Sequence, residues 1–180
     1  MFDRLRNHRL KFSYVAAAMP ILYGIWKRPH LIHWSLALIA AGVLMRVWAA
    51  GYITKDSILT QSGPYAMTRN PLYFGTFLSG LGLFVLVQAW ILLAIFIPLF
   101  WLFYGGTIAS EQRFLGLTYG EEYESYRRRV PIFFPRITPA KAPQVATFSL
   151  EKAIFHNKEI ISMACTAVEV GLVYLTVCLP

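Results

Sequence analysis

Five apolar runs leave this chain few ways to fold. They cover residues 12–26, 31–53, 71–87, 89–104 and 160–179. A helix needs about 20 mostly apolar residues to cross a bilayer. The runs are continuously apolar rather than alternating, so they predict an all-α, polytopic membrane bundle. The expected architecture is one domain, 1–180, with about five transmembrane helices and a cytosolic helical segment, 105–158, between the fourth and fifth. The first run is short for a span and contains Pro20. Its helix is kinked or tilted, or it borrows Leu10 and Lys11. Hydrophobic residues make up 57% of the chain and charged residues 14%, where a soluble domain carries about 25% charged. That excludes a single water-soluble core.

Lysine and arginine placement orients the bundle. Four lie in the first eleven residues, eight lie in 105–158, and none lies at the Gln88 turn. The positive-inside rule therefore puts the N-terminus, the loop around 53–70 and the 105–158 segment in the cytoplasm, with the C-terminus outside. Lys27 and Arg28 fall on the outer side. They snorkel, or the first helix crosses incompletely. The five tryptophans fall mostly near helix ends, as an interfacial belt would. The formal net charge of +8 belongs to loops beside apolar runs. It points to anionic membrane lipid and not to nucleic acid. No cleavable signal peptide is expected, because the charged N-terminus leads into spans without a small-residue cleavage site. Cys165 and Cys178 are 13 apart in the last run and read as small apolar filler.

Polar chemistry is concentrated in two places. Arg69-Asn70-Pro71-Leu72-Tyr73-Phe74-Gly75 opens the third run, and Glu111-Gln112 with Tyr119, Tyr123 and Tyr126 follows the fourth. Asn70-Pro71 suits a helix start, asparagine as N-cap and proline at the first helical position. Arg69 beside that positive helix end makes an anion site. Glu111 lies about two turns past the apolar run, with Leu115 one turn further. An arginine, a carboxylate and tyrosines suit a small amphipathic cation that bears its own carboxylate, such as a sulfonium or ammonium. A helix cap and a solvated helix face explain the same residues without a ligand. Thr118 and Glu121 have capping-box spacing, predicting a helix over 121–129 that Pro131 ends. Residues 136–147 read as a loose linker. Arg127-Arg128-Arg129 suits a membrane surface. Gly80 and Gly82 suggest close helix packing. Arg46 and Glu169 are charges inside apolar runs. Arg46 can snorkel, while Glu169 pairs with Arg46 or marks a substrate path. No zinc spacing, nucleophile elbow, Walker loop or dinucleotide fingerprint occurs.

Taken together, Gly63-Pro64-Tyr65, Arg69 to Gly75, Glu111-Gln112-Arg113-Phe114-Leu115, Tyr119-Gly120, Tyr123, Tyr126 and Val130-Pro131 resemble a family of membrane methyltransferases. It includes isoprenylcysteine carboxyl methyltransferases and phospholipid N-methyltransferases. The resemblance covers roughly residues 60–135. It implies S-adenosylmethionine as cofactor, in a cytosol-facing pocket built from the hairpin ends and the 105–158 segment, with lipid substrate entering from the bilayer. By position it implies Arg69 and Glu111 as catalytic residues, Asn70, Tyr73, Glu111 and Tyr126 as cofactor-binding residues, and no metal. The expected reaction is methyl transfer to a lipophilic acceptor, a carboxylate such as a prenylcysteine-like group. A phospholipid amine N-methyltransferase, an NADPH-dependent sterol-reductase-like enzyme and a non-catalytic membrane interaction protein stand as alternatives. Two residues depart from the family pattern. Asn70 stands where the family has histidine, and Gln112 where it has a second glutamate. Asparagine cannot exchange a proton near neutral pH, which favours a nucleophile that needs no base.

Overall fold

Each apolar run is built on a helix, because continuous apolar sequence gives the backbone no partner but itself. In the computed structural model, which describes residues 2–53, 58–143 and 146–178 and side chains from Phe12 onward, five α-helices follow in order. They are α1 (Phe2–Lys27), α2 (Leu36–Ala50), α3 (Pro71–Leu86), α4 (Trp90–Arg129) and α5 (Glu159–Cys178). No strand occurs among the described residues. His33–Ala50, Trp90–Arg129 and Glu159–Cys178 are long and apolar enough to cross a membrane, and Pro71–Leu86 is a shorter apolar helix. The chain is a membrane helical bundle. Lys55 of the inner-loop expectation, residues 144 and 145 of the linker, Leu179 of the last run and the side chains of the basic N-terminal flank lie outside the described residues.

Three helices differ from the runs that announced them. α1 begins ten residues before the apolar run and carries Pro20 in its interior, so hydropathy marked only its apolar part. The second run opens with a 3₁₀ turn over His33–Ser35 before α2 starts. The fourth run is only the beginning of α4, whose 40 residues would extend about 60 Å, twice a bilayer's hydrocarbon core. α4 breaks at Gly120, where φ is 49° and ψ −121°, a conformation glycine adopts without a Cβ penalty. The expected cap at Thr118 does not form. Its hydroxyl donates to the Phe114 carbonyl at 2.9 Å, one turn back along the same helix. The second helical piece starts from a backbone break and not from a capping side chain.

α2 and α3 approach closely because glycines face each other across them. A Cβ on Gly75 would lie 2.6 Å from the Gly42 carbonyl oxygen and 2.7 Å from Arg46 Cγ. One on Gly82 would lie 2.6 Å from Ile39 Cγ1. Backbone cannot give way as a flexible side-chain end can. Gly75→Val is therefore expected to cost at least the roughly 1–3 kcal/mol of an overpacked core, read as a lower thermal midpoint in detergent.

The core lies between α3 and α4. Phe77, Phe84, Phe96 and Phe100 interlock there, with Phe77–Phe100 centroids at 4.9 Å and Phe84–Phe96 at 5.0 Å. Phe133, from the segment after α4, is buried against the same cluster. That segment is tied to the loop before α3. Arg69 N donates to the Pro131 carbonyl (2.9 Å), Arg136 N to Met67 (3.0 Å) and Ala140 N to Ala66 (2.9 Å). The first part of the expected loose linker is thus hydrogen-bonded at Arg136 and Ala140.

Candidate active site

Pro71 begins α3 and Asn70 precedes it, as the sequence suggested, but the Asn70 side chain caps nothing. Its Nδ2 donates to the Ile132 carbonyl at 2.7 Å. Fully buried Thr68 donates to the Phe133 carbonyl at 2.8 Å and accepts from Asn70 N at 3.3 Å. The 68–70 corner is therefore pinned to the strap of residues 131–133 by three bonds, which fixes the direction in which Arg69 leaves the backbone. Asn70→Ala removes one of them and frees the carbonyl of Ile132, an exposed residue. The expected loss is about 0.5–1.5 kcal/mol, read as faster hydrogen exchange across 131–136.

Arg69 reaches α4. Its Nη1 donates to Gln112 Oε1 and to the Tyr123 hydroxyl at 3.0 Å, and Tyr123 also donates to Gln112 Oε1. Every one of these partners is neutral. Arg69 therefore keeps its full positive charge, and its buried Nε has no hydrogen-bond partner. Glutamine at 112 leaves the guanidinium braced but not neutralised.

Glu111, the preceding residue on α4, turns to the other side of the corner. It accepts a hydrogen bond from the Tyr73 hydroxyl at 2.5 Å. Tyr73 sits one turn into α3, and its ring meets the Tyr104 ring edge-on at 5.5 Å. The Tyr104 hydroxyl is 2.8 Å from Ser13 Oγ on α1. Helices α1, α3 and α4 thus converge through two tyrosines.

Arg69, Asn70, Tyr73 and Glu111 line one cavity of about 650 Å³, together with Tyr65 and Gln112. That volume falls within the range of small-molecule sites. The cavity is polar around these residues. Elsewhere Phe12, Ala16, Leu83, Phe84, Phe96 and Phe100 form its wall. A second, apolar cavity of about 410 Å³ between α1 and α4 shares Phe12, Ala16, Phe84 and Phe96 with it. Tyr126 is not in the cavity wall. It is buried and donates to the Tyr65 carbonyl at 2.8 Å, so it stands behind Tyr65. Burial pushes the Tyr65 hydroxyl above the ordinary phenol range, and it stays a neutral donor.

The structure also corrects the partner expected for Arg46. Its Nε and Nη2 donate to Glu159 Oε2 and Oε1 at 3.0 and 2.9 Å, and Nη1 donates to Thr76 Oγ1 at 2.5 Å. Glu159 opens α5, whereas Glu169 lies ten residues on, about 15 Å along the helix. Arg46 takes the carboxylate at its own level. Sequence reading missed Glu159 because it precedes the apolar run. Its signal was its place at the end of α5 that faces the end of α2. Arg46 and Glu169 both line the cavity.

The residues fit a zwitterionic cation. Arg69 offers an unpartnered donor and a positive charge to a carboxylate, and Glu111 with the tyrosine faces favours a positive centre.

A family model described as phospholipid methyltransferase matches residues 31–122. A cobalt-zinc-cadmium resistance protein of Cupriavidus metallidurans is 35% identical over 117 residues, 64% of this chain and 54% of that protein. A protein-S-isoprenylcysteine O-methyltransferase of Schizosaccharomyces pombe is 33% identical over 103 residues, 57% of this chain and 44% of that one. The mouse protein of the same name is 29% identical over 160 residues, 76% of this chain and 56% of its own length. The chain spans about half the length of the curated relatives it matches. No solved structure matches it.

Proposed function

The chain belongs to the phospholipid methyltransferase family, and from that premise we propose that it transfers a methyl group from S-adenosylmethionine to the carboxylate of a lipophilic, prenylcysteine-like acceptor. One observation carries the reading. Arg69 and Glu111, of opposite charge, line a single cavity whose remaining wall is largely apolar. The isoprenylcysteine methyltransferases among the relatives support the acceptor class. The basic flanks support an N-terminus in the cytoplasm and a site on that side of the membrane.

When bound, S-adenosylmethionine supplies a methyl group on a sulfonium, transferred by in-line displacement. The chain's own residues supply position and a dry site. Arg69, braced by Gln112 and Tyr123, holds a carboxylate. Glu111, held by Tyr73, faces the cationic end. Asn70 holds the strap through Nδ2 and leaves its side-chain oxygen for the ligand. Tyr126 acts through the Tyr65 backbone. Phe12, Phe84, Phe96 and Phe100 exclude water and take the lipid chain. A carboxylate acceptor is already ionised, so the asparagine at position 70 costs the reaction no base.

The test incubates purified protein with a prenylcysteine and methyl-labelled S-adenosylmethionine. An ester product releases its label as methanol in mild base, and that is the expected result. Label that stays bound through base assigns an amine acceptor instead, and absence of product with either acceptor class refutes the reading.

A further inference from the structure

The last helix carries polar residues that the proposed reaction has not used. Ser162, Cys165, Thr166 and Glu169 recur at helical spacing on α5, and all four line the main cavity. They lie outside the 31–122 stretch that the family model matches. Their depth follows from the packing of α1 on α5. A Cβ on Gly24 would lie 3.1 Å from Val177 Cγ2 and 3.4 Å from Thr176 Oγ1. Both helices start at the same end of the bundle, so eleven residues back on each brings Ser13 level with Cys165 and Thr166. Ser13 is bonded to Tyr104, which packs on the Tyr73 that holds Glu111. The α5 stripe therefore enters the cavity at the level of the tyrosine pair, and Glu169 lies about one turn deeper.

The charges around the cavity do not balance at Glu169. Arg46 is paired with Glu159. Arg69 and Glu111 line the same cavity with opposite charges. Glu169 has no ion-pair partner among the described residues. A carboxylate within an apolar span is costly unless it faces a polar cavity or a partner. A cationic group on a bound ligand supplies that partner.

We propose that Glu169, with Ser162 and Thr166 on the same face of α5, is a specificity determinant that recognises an ammonium group carried by the lipophilic acceptor close to its methyl-accepting carboxylate. The acceptor class is then a free S-alkyl amino acid, whose amine is charged, and not a peptide chain end whose nitrogen is a neutral amide. This inference rests on the methyl-transfer reading for the acceptor's role.

The experiment compares S-farnesylcysteine with its deamino counterpart, S-farnesyl-3-mercaptopropionate. The two share the chain and carboxylate and differ only in the amine. Binding of each, and of S-adenosylmethionine, is measured by calorimetry on wild type, Glu169→Gln and Glu169→Leu in nanodiscs. Glutamine keeps the volume and hydrogen bonding of the side chain, so it guards against misfolding of the leucine variant. Wild type is expected to bind the amine-bearing compound about tenfold or more tighter. The gap closes in Glu169→Gln, while S-adenosylmethionine affinity is unchanged. Equal affinities in wild type, binding by neither compound, a gap that survives Glu169→Gln, or weakened S-adenosylmethionine binding overturns the proposal. A binding gap without methyl transfer to either compound refutes the proposed reaction and leaves this assignment standing.

Discussion

Glu111→Gln lowers kcat/KM for methyl transfer by roughly a hundredfold or more, about 2.7 kcal/mol, the scale of removing one preorganised electrostatic group from an active site. Glutamine has nearly the same shape and can still accept the Tyr73 hydroxyl bond made at 2.5 Å, so the change isolates charge from packing. Without it, Arg69 remains as a positive centre with only Gln112 and Tyr123 as partners. The site then repels a sulfonium that it previously favoured. Two readouts separate this from a folding defect. The thermal midpoint stays within a degree or two, and S-adenosylmethionine affinity falls. Tyr73→Phe is the milder companion. It keeps the ring against Tyr104 and removes only the hydroxyl, about 1 kcal/mol or somewhat more because the bond is charge-assisted. A Glu111→Gln protein with full activity means that the carboxylate plays no part in the site.

Glu159→Gln produces the largest stability loss expected from a single side chain. Its carboxylate receives both Arg46 Nε and Nη2, and the two side chains are 7% and 22% exposed. Removing one partner of a buried pair strands the other charge, at roughly 3–5 kcal/mol. The partial exposure of Arg46 places this case near 3. Arg46→Lys does not substitute, because an ammonium cannot reproduce the two-pronged guanidinium geometry. Unfolding in detergent measures the effect. Arg46→Leu combined with Glu159→Leu is expected to be less damaging than the sum of the singles, since no lone charge remains. Strict additivity contradicts the account of this pair. The pair also joins α2 to α5, and Arg46 to Thr76 joins both to α3, so its loss loosens the wall that carries Glu169.

The sequence showed the helices wherever a single physical rule decided them. Continuous apolar runs gave the membrane bundle, and Asn70-Pro71 marked the start of α3. Gly80 and Gly82 pointed to close helix packing, and Gly82 does lie against Ile39 of α2, but the facing pair Gly42 and Gly75 was not singled out. Helix limits were harder, because hydropathy sees the bilayer and not the helix. α1 and α4 continue past their apolar runs into polar sequence that is still helical. Gly120 reads as an ordinary residue between tyrosine and glutamate until its positive φ is seen.

In the site, residue types pointed to an anion-binding and a cation-binding group, but not to what each group's other atoms do. Asn70 reads as a cap and is instead tied to Ile132. That bond joins residues 62 apart, and no local pattern encodes it. Gln112 reads as a lost charge and turns out to be the brace of Arg69. Tyr126 shared a motif with the site residues but stands one layer behind them. Arg46 reads as a partner for Glu169, and helix register pairs it with Glu159 instead. Each of these outcomes depends on long-range packing, which periodicity and spacing do not carry.

The most direct measurement is a calorimetric titration of the purified wild-type protein with S-adenosylmethionine, with Glu111→Gln as its comparison. Saturable binding at one site per chain is expected, with at least tenfold weaker binding to the variant. No binding by the wild type, or equal affinity for both proteins, contradicts that expectation.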